Sequence, residues 1–204
     1  KQPSSGTNTS PKIIFFGNER LATGVNTTAP TLRTLIDNGY HVAAVVAHYE
    51  PGRSRSARTL EIADVAQAHD IPVLLPEKPA DIIDQLRAFN ADAAVLVAYG
   101  KIIPQTIIDL FPAGFINIHP SLLPAFRGPT PIEQAILSGL TTTGVSLMAL
   151  TSKMDAGPVY AQAELPLAGT ESKQELAARL LAKGSEMVIE HLPAILNGTL
   201  QPTA

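Results

Sequence analysis

Asn117 and His119 are the residues whose types and spacing point most directly to chemistry. They close the run Phe115-Ile116-Asn117-Ile118-His119, apolar except at those two positions, just before the loop Pro120-Ser121-Leu122-Leu123-Pro124. In an extended strand, residues two apart share a face, so the spacing predicts that both side chains project together where the strand stops. An amide donates and accepts hydrogen bonds without changing charge, whereas an imidazole moves a proton near neutral pH. The pair suits acyl transfer, in which one group steadies an oxyanion while another handles protons. A lone histidine at a strand end is more often packed or solvated, so the wider pattern has to carry the site.

That pattern is long. It runs N-I-H-P-S-L-L-P-x-x-R-G through Arg127 and Gly128, and Met154-Asp155-Ala156-Gly157-Pro158 follows downstream. Prolines 120 and 124 restrict the loop backbone, which favours a preformed site. An aspartate beside glycine is usually a turn residue, so Asp155 gains a chemical role only through what it matches.

Together these words resemble the folate-dependent formyltransferases, and the resemblance extends from Lys12 to about Thr199. It implies a catalytic trio of Asn117, His119 and Asp155, a 10-formyltetrahydrofolate donor, and no metal. A deprotonated amine would attack the formyl carbon. Asn117 and His119 would steady the developing oxyanion, and His119 with Asp155, through a water, would pass protons to the departing nitrogen. The resemblance also places Tyr99, Gly100, Ile102, Ser121, Leu122, Leu123 and Pro124 at the reduced folate. Gly17, Asn18, Arg53, Arg55, Arg58 and Arg127 fall on the acceptor side, where Arg127 either contacts the acceptor or braces its loop. Pro129-Thr130-Pro131-Ile132 is similar to the branches acting on transfer RNA and nucleotide sugars, and the match is nearest to those that formylate initiator Met-tRNA. Glycinamide ribonucleotide or an amino sugar nucleotide is the alternative acceptor. A reading from another class is a non-catalytic folate- or nucleotide-binding module.

Length and composition agree with one enzyme-sized domain. The chain has 204 residues, 45% hydrophobic and 16% charged, enough for one well-buried core. Its formal net charge of -3 makes the whole domain a poor electrostatic clamp for nucleic acid, so any RNA contact needs a local patch. Arg53, Arg55 and Arg58 form such a cluster, read either as a solvated loop or, by the resemblance, as an acceptor-arm contact. There is no cysteine, which excludes disulfides and thiolate catalysis. No apolar run reaches membrane-span length, and a cytoplasmic monomer is expected. Residues 1–11 read as a disordered leader or tag remnant and residues 12–204 as the catalytic domain. The family's C-terminal barrel domain is expected to be absent from this chain.

The positioning elements follow from periodicity. Lys12–Phe16, residues 41–47, 73–75, 93–98, Phe115–His119, 143–149 and 159–167 read as strands, the last an antiparallel edge extension. Helices are expected from Pro30 to Gly39, over 58–69 with Leu60, Ala63 and Ala66/Gln67 inward, around Ile82 to Phe89, and over 172–197. In the last helix Pro193 should kink or end the turn, and His191 reads as a helix-face residue. Strands apolar on both faces that alternate with amphipathic helices imply an α/β, Rossmann-like, mostly parallel sheet covered on both sides. Ligands are then expected beyond the strands' carboxyl ends. The turn from Gly17 to Gly24 suits either anion binding or a plain strand-to-helix link. It lacks G-x-G-x-x-G, so a nicotinamide dinucleotide site is not supported.

Overall fold

After Lys12 every position of the first strand is apolar and buried, and the fold covers both of its faces. A computed structural model of the protein describes residues 10–48 and 60–204. The strands are β1 (Lys12–Phe16), β2 (His41–Val46), β3 (Val73–Leu74), β4 (Ala93–Leu96), β5 (Phe115–His119), β6 (Thr142–Ala149) and β7 (Val159–Pro166). The helices are α1 (Pro30–Asp37), α2 (Glu61–Ala68), α3 (Ile83–Phe89), α4 (Gln105–Ile108), α5 (Pro131–Leu137) and α6 (Lys173–Leu196), with a 3₁₀ turn at Pro79–Ile82. One seven-stranded sheet runs β3-β2-β1-β4-β5-β6-β7. The first five strands pair in parallel, β6 is antiparallel to β5, and β7 is antiparallel to β6 at the edge. The expected Rossmann-like α/β class holds, with the reversal of direction beginning one strand earlier than the edge.

Alternation along each strand feeds two cores. Ile13 and Phe15 of β1 pack with Leu32 and Leu35 of α1 and with Leu176 and Leu180 of α6. Ile14 and Phe16 point the other way, to Leu86 of α3 and Ile107 of α4. β5 follows the same rule: Ile116 and Ile118 join the first core, Phe115 the second. Asn117 and His119 therefore share the face of Phe115. Beneath them Phe115 lies 4.8 Å from Phe16 and 5.0 Å from Phe111, centroid to centroid. Burying each ring is worth about 1.5–3 kcal/mol, so this end of β5 is firmly anchored.

Helix α6 starts at a capping box in which Ser172 accepts from the Glu175 amide and Glu175 accepts from the Ser172 amide. It crosses β5 so closely that a Cβ at Gly184 would stand 2.6 Å from Ile118. Pro193, expected to kink or end the helix, does not end it: α6 reaches Leu196. A proline in the last turn forfeits one bond, and buried Leu192 and Ile195 hold that turn in place. His191 lies half-buried on the helix surface beside Glu190. In α2 the inward face is Ile62, Val65 and Ala66, while Gln67 is exposed, because the larger branched side chains take the buried positions. Helix α5, opening on Pro131, was not anticipated; its seven residues are too few to show a period.

Candidate active site

β5 delivers Asn117 and His119 to the carboxyl end of the sheet, 6% and 5% exposed. They open onto a cavity of about 660 Å³ walled by the turn after β1, the segment after β4, and the loops after β5 and β6. Tyr99, Gly100, Ile102, Asn18 and Asp155 line it with them. The Asn117 side-chain amide makes no hydrogen bond to any described residue. Its donors open onto the cavity, within reach of a ligand oxygen.

The imidazole of His119 is held from two sides. Its Nε2 stands 3.0 Å from the Phe126 carbonyl and its Nδ1 3.5 Å from Asp155 Oδ1. Both neighbours offer acceptors, so the two contacts are satisfied together when each ring nitrogen carries a proton. Asp155 sits on the β6–β7 connection in the left-handed region, φ 47°. Its other oxygen accepts from the Gly128 amide at 2.7 Å, which ties that connection to the loop after β5. The fold thus brings Asp155 to His119 across a separation that the sequence pattern left open.

Residues 121–124 do not line this cavity. Ser121 is buried and its hydroxyl donates to the Ala125 carbonyl at 2.5 Å, shaping the loop from within. Ser146, paired directly opposite His119 on β6, donates to the Ser121 carbonyl at 2.7 Å. It accepts from the Leu123 amide at 3.0 Å and from Gln162 of β7 at 2.9 Å. Gln162 also reaches the Leu123 carbonyl at 3.0 Å. Leu122 packs over Gly144, where a Cβ would meet it at 2.5 Å. Pro124 and Arg127 are exposed, and Arg127 has no ion-pair or hydrogen-bond partner among the described residues.

On the opposite wall, Gly17 is fixed by sterics: φ is +118° and a Cβ would stand 1.9 Å from the Val97 carbonyl oxygen. Next to it Asn18 lines the cavity, with its amide bonded to the Ala98 carbonyl at 3.2 Å. Arg20 donates its backbone amide to Asn18 Oδ1 at 2.9 Å and pairs its guanidinium with Glu61 at 2.7 Å. Arg53, Arg55 and Arg58 lie outside the described residues, as do residues 1–9 of the expected leader.

Sequence reasoning missed Glu19. It is fully buried, and its two oxygens accept from the Thr31 and Leu32 amides at 2.8 and 3.1 Å. Burial pushes its carboxyl up to about 7 from the ordinary 4.5, against the lowering effect of those hydrogen bonds and of Arg33. The available signal was indirect: the N-cap of α1 is Ala29, which has no oxygen to give. Ser146, Gln162 and the Phe126 carbonyl were also missed, since none belongs to a pattern that chemistry alone marks.

Comparison with known proteins gives the family and the fold. The sequence pattern of the formyl transferase family matches residues 12–192. The chain is 39% identical over 194 residues to a methionyl-tRNA formyltransferase of Geobacillus thermodenitrificans, covering 93% of this chain and 59% of that protein. It is 35% identical over 195 residues to the enzyme of the same name from Chloroflexus aurantiacus, covering 94% and 61%. The chain thus spans about three fifths of the length of these curated relatives. Among solved structures, phosphoribosylglycinamide formyltransferase from Anaplasma phagocytophilum superposes with a TM-score of 0.74 at 24% identity, covering 95% of this chain and 90% of that one, a likeness of fold.

Proposed function

Because the chain belongs to the formyl transferase family, we propose that it transfers a formyl group from 10-formyltetrahydrofolate to the methionine amino group of initiator Met-tRNA. The observation that carries the reading is the unpartnered Asn117 amide beside a His119 ring braced by Asp155, all three on one cavity. The wall beside them suits a reduced folate. Ile102 and Ile103 supply apolar surface there, Ile102 being 63% exposed, and Tyr99 and Gly100 add a ring and open backbone. When bound, the folate supplies the formyl group on a nitrogen that leaves. The amine attacks the formyl carbon while Asn117 donates to the formyl oxygen as it gains charge. The amine's proton passes to His119, Asp155 steadies the cationic ring, and His119 returns a proton to the folate nitrogen as its bond to the formyl carbon breaks.

Met-tRNA as acceptor is supported by relatives at 35% to 39% identity that bear that name. Residues 12–204 then form the catalytic domain, working as a cytoplasmic monomer, and Asn18 and Arg20 face the acceptor. No helix among the described residues is long and apolar enough to cross a membrane. The test is a formyl-transfer assay with 10-formyltetrahydrofolate and three acceptors: Met-tRNA, glycinamide ribonucleotide and an amino sugar nucleotide. Turnover fastest with Met-tRNA supports the reading. Preference for a small nucleotide moves the acceptor to a neighbouring branch, and no turnover with any of them overturns the reaction.

A further inference from the structure

We propose that Glu19 is a positioning residue: its buried carboxylate locks α1 beneath the turn after β1 and so holds Asn18 and Arg20 in the cavity wall. As a helix cap it is an expensive choice, because a carboxylate removed from water has to be compensated; the N-cap residue itself, Ala29, lies in the left-handed region at φ 51° and offers no side-chain acceptor. What the long acidic side chain adds is reach. It joins a residue of the turn to two amides of α1 that the local sequence leaves without a side-chain partner.

The turn is fixed on its other side by backbone. The amides of Asn18 and Glu19 bond to the carbonyls of Ala98 and Val97 at 3.2 and 3.3 Å, just past β4. Glu19 itself occupies the left-handed region, φ 57°, a conformation that a non-glycine residue keeps only where its surroundings enforce it. Helix α1 is in turn fixed to α6, since the Thr31 and Ser185 hydroxyls meet at 2.8 Å and the Ser185 hydroxyl reaches the Leu181 carbonyl at 2.8 Å. A continuous link therefore runs from α6 through Thr31 and Glu19 to Asn18. Arg20 is set by the same link, because its amide hangs on Asn18 Oδ1. Without the carboxylate, the turn keeps its bonds to the Val97 and Ala98 carbonyls and the Arg20–Glu61 pair but loses its tie to α1. The wall then loosens while Asn117, His119 and Asp155, on other elements, keep their places.

The kinetic half of this inference rests on the acceptor entering past Asn18 and Arg20; the structural half does not. The experiment reads both in Glu19→Ala and Glu19→Gln variants of the chain. Amide hydrogen exchange needs no substrate. In Glu19→Ala, protection should fall at Thr31 and Leu32 and also at Asn18, Glu19 and Arg20, with β5 unchanged. In Glu19→Gln, which keeps one acceptor oxygen, the fall should be smaller. With Met-tRNA, the acceptor KM should rise about tenfold, as a misplaced wall residue predicts, while kcat and folate affinity change less than about twofold. Faster exchange confined to Thr31 and Leu32 would reduce Glu19 to a helix cap and overturn the proposal. So would equal losses at both substrates, which mark general destabilisation. If Glu19→Ala does not fold, Glu19→Gln is judged by the same residues. If no acceptor is formylated, exchange alone decides and the acceptor assignment falls separately.

Discussion

The two walls of the cavity are built on different physics. Around Ser146 the wall of the loops after β5 and β6 is held by several neutral hydrogen bonds: Ser146 makes three, and Gln162 holds the Leu123 carbonyl besides, while the Asp155 carboxyl adds a tie to the Gly128 amide. The wall after β1 adds to its backbone bonds with Val97 and Ala98 one buried acid, Glu19, and one largely buried ion pair, Arg20–Glu61. Redundancy lets the first wall lose a contact and keep its shape. A single charged anchor ties the second to pH. The residues proposed for the chemistry sit on the first wall, and those proposed to face the acceptor on the second.

The sharpest way to separate the walls is to remove the chemistry without touching either support. Replacing His119 with Ala should lower kcat about 10² to 10⁴-fold, the usual contribution of a positioned acid–base group, with the fold intact by circular dichroism. Turnover within a factor of a few of the parent would remove His119 from the mechanism. Asn117→Ala should cost roughly 10²-fold in kcat with little change in either KM, because an oxyanion donor acts mainly in the transition state. A loss seen only in KM would recast Asn117 as a binding residue.

The next effect belongs to the β1 wall. Burial raises the Glu19 carboxyl to about 7, above its ordinary 4.5, so the folded state holds the proton more tightly than the unfolded chain. The stability contributed by the protonated group is full below about pH 4.5 and is lost as pH rises through 7. For a shift of that size the change is on the order of 3 kcal/mol. Denaturant melts of the parent from pH 4.5 to 8 should show this decline, and Glu19→Gln should flatten it. A variant with the parent's slope would refute the single-anchor account. The smallest effect should come from Ser146→Ala, about 1–3 kcal/mol with no dependence on pH, since Gln162 still holds the Leu123 carbonyl. A larger loss, or collapse of the fold, would show that the bonds of this wall are not redundant.

Much of this was legible beforehand. Short continuous apolar runs located the strands of the sheet, and the class followed from strands buried on both faces. The spacing of Asn117 and His119 predicted their shared face, which Phe115 and the second core now account for. Short elements were harder: α5 is too brief to reveal a period, and Pro193 reads as a break unless the burial of Leu192 and Ile195 is known.

Local rules were sufficient wherever the deciding neighbours stand two to four residues apart, because backbone geometry turns such spacings directly into faces. The sequence by itself therefore determined the layered α/β class and the Asn–His pair at a strand end. Tertiary structure alone decided that Asp155 meets His119, that residues 121–124 turn inward to Ser146 while Tyr99 and Ile102 face the cavity, and that Glu19 caps a helix twelve residues further on. Each of these depends on how loops from separate strands meet beyond the sheet's edge. That meeting is set by packing and by the satisfaction of buried polar groups, which no spacing in the chain encodes.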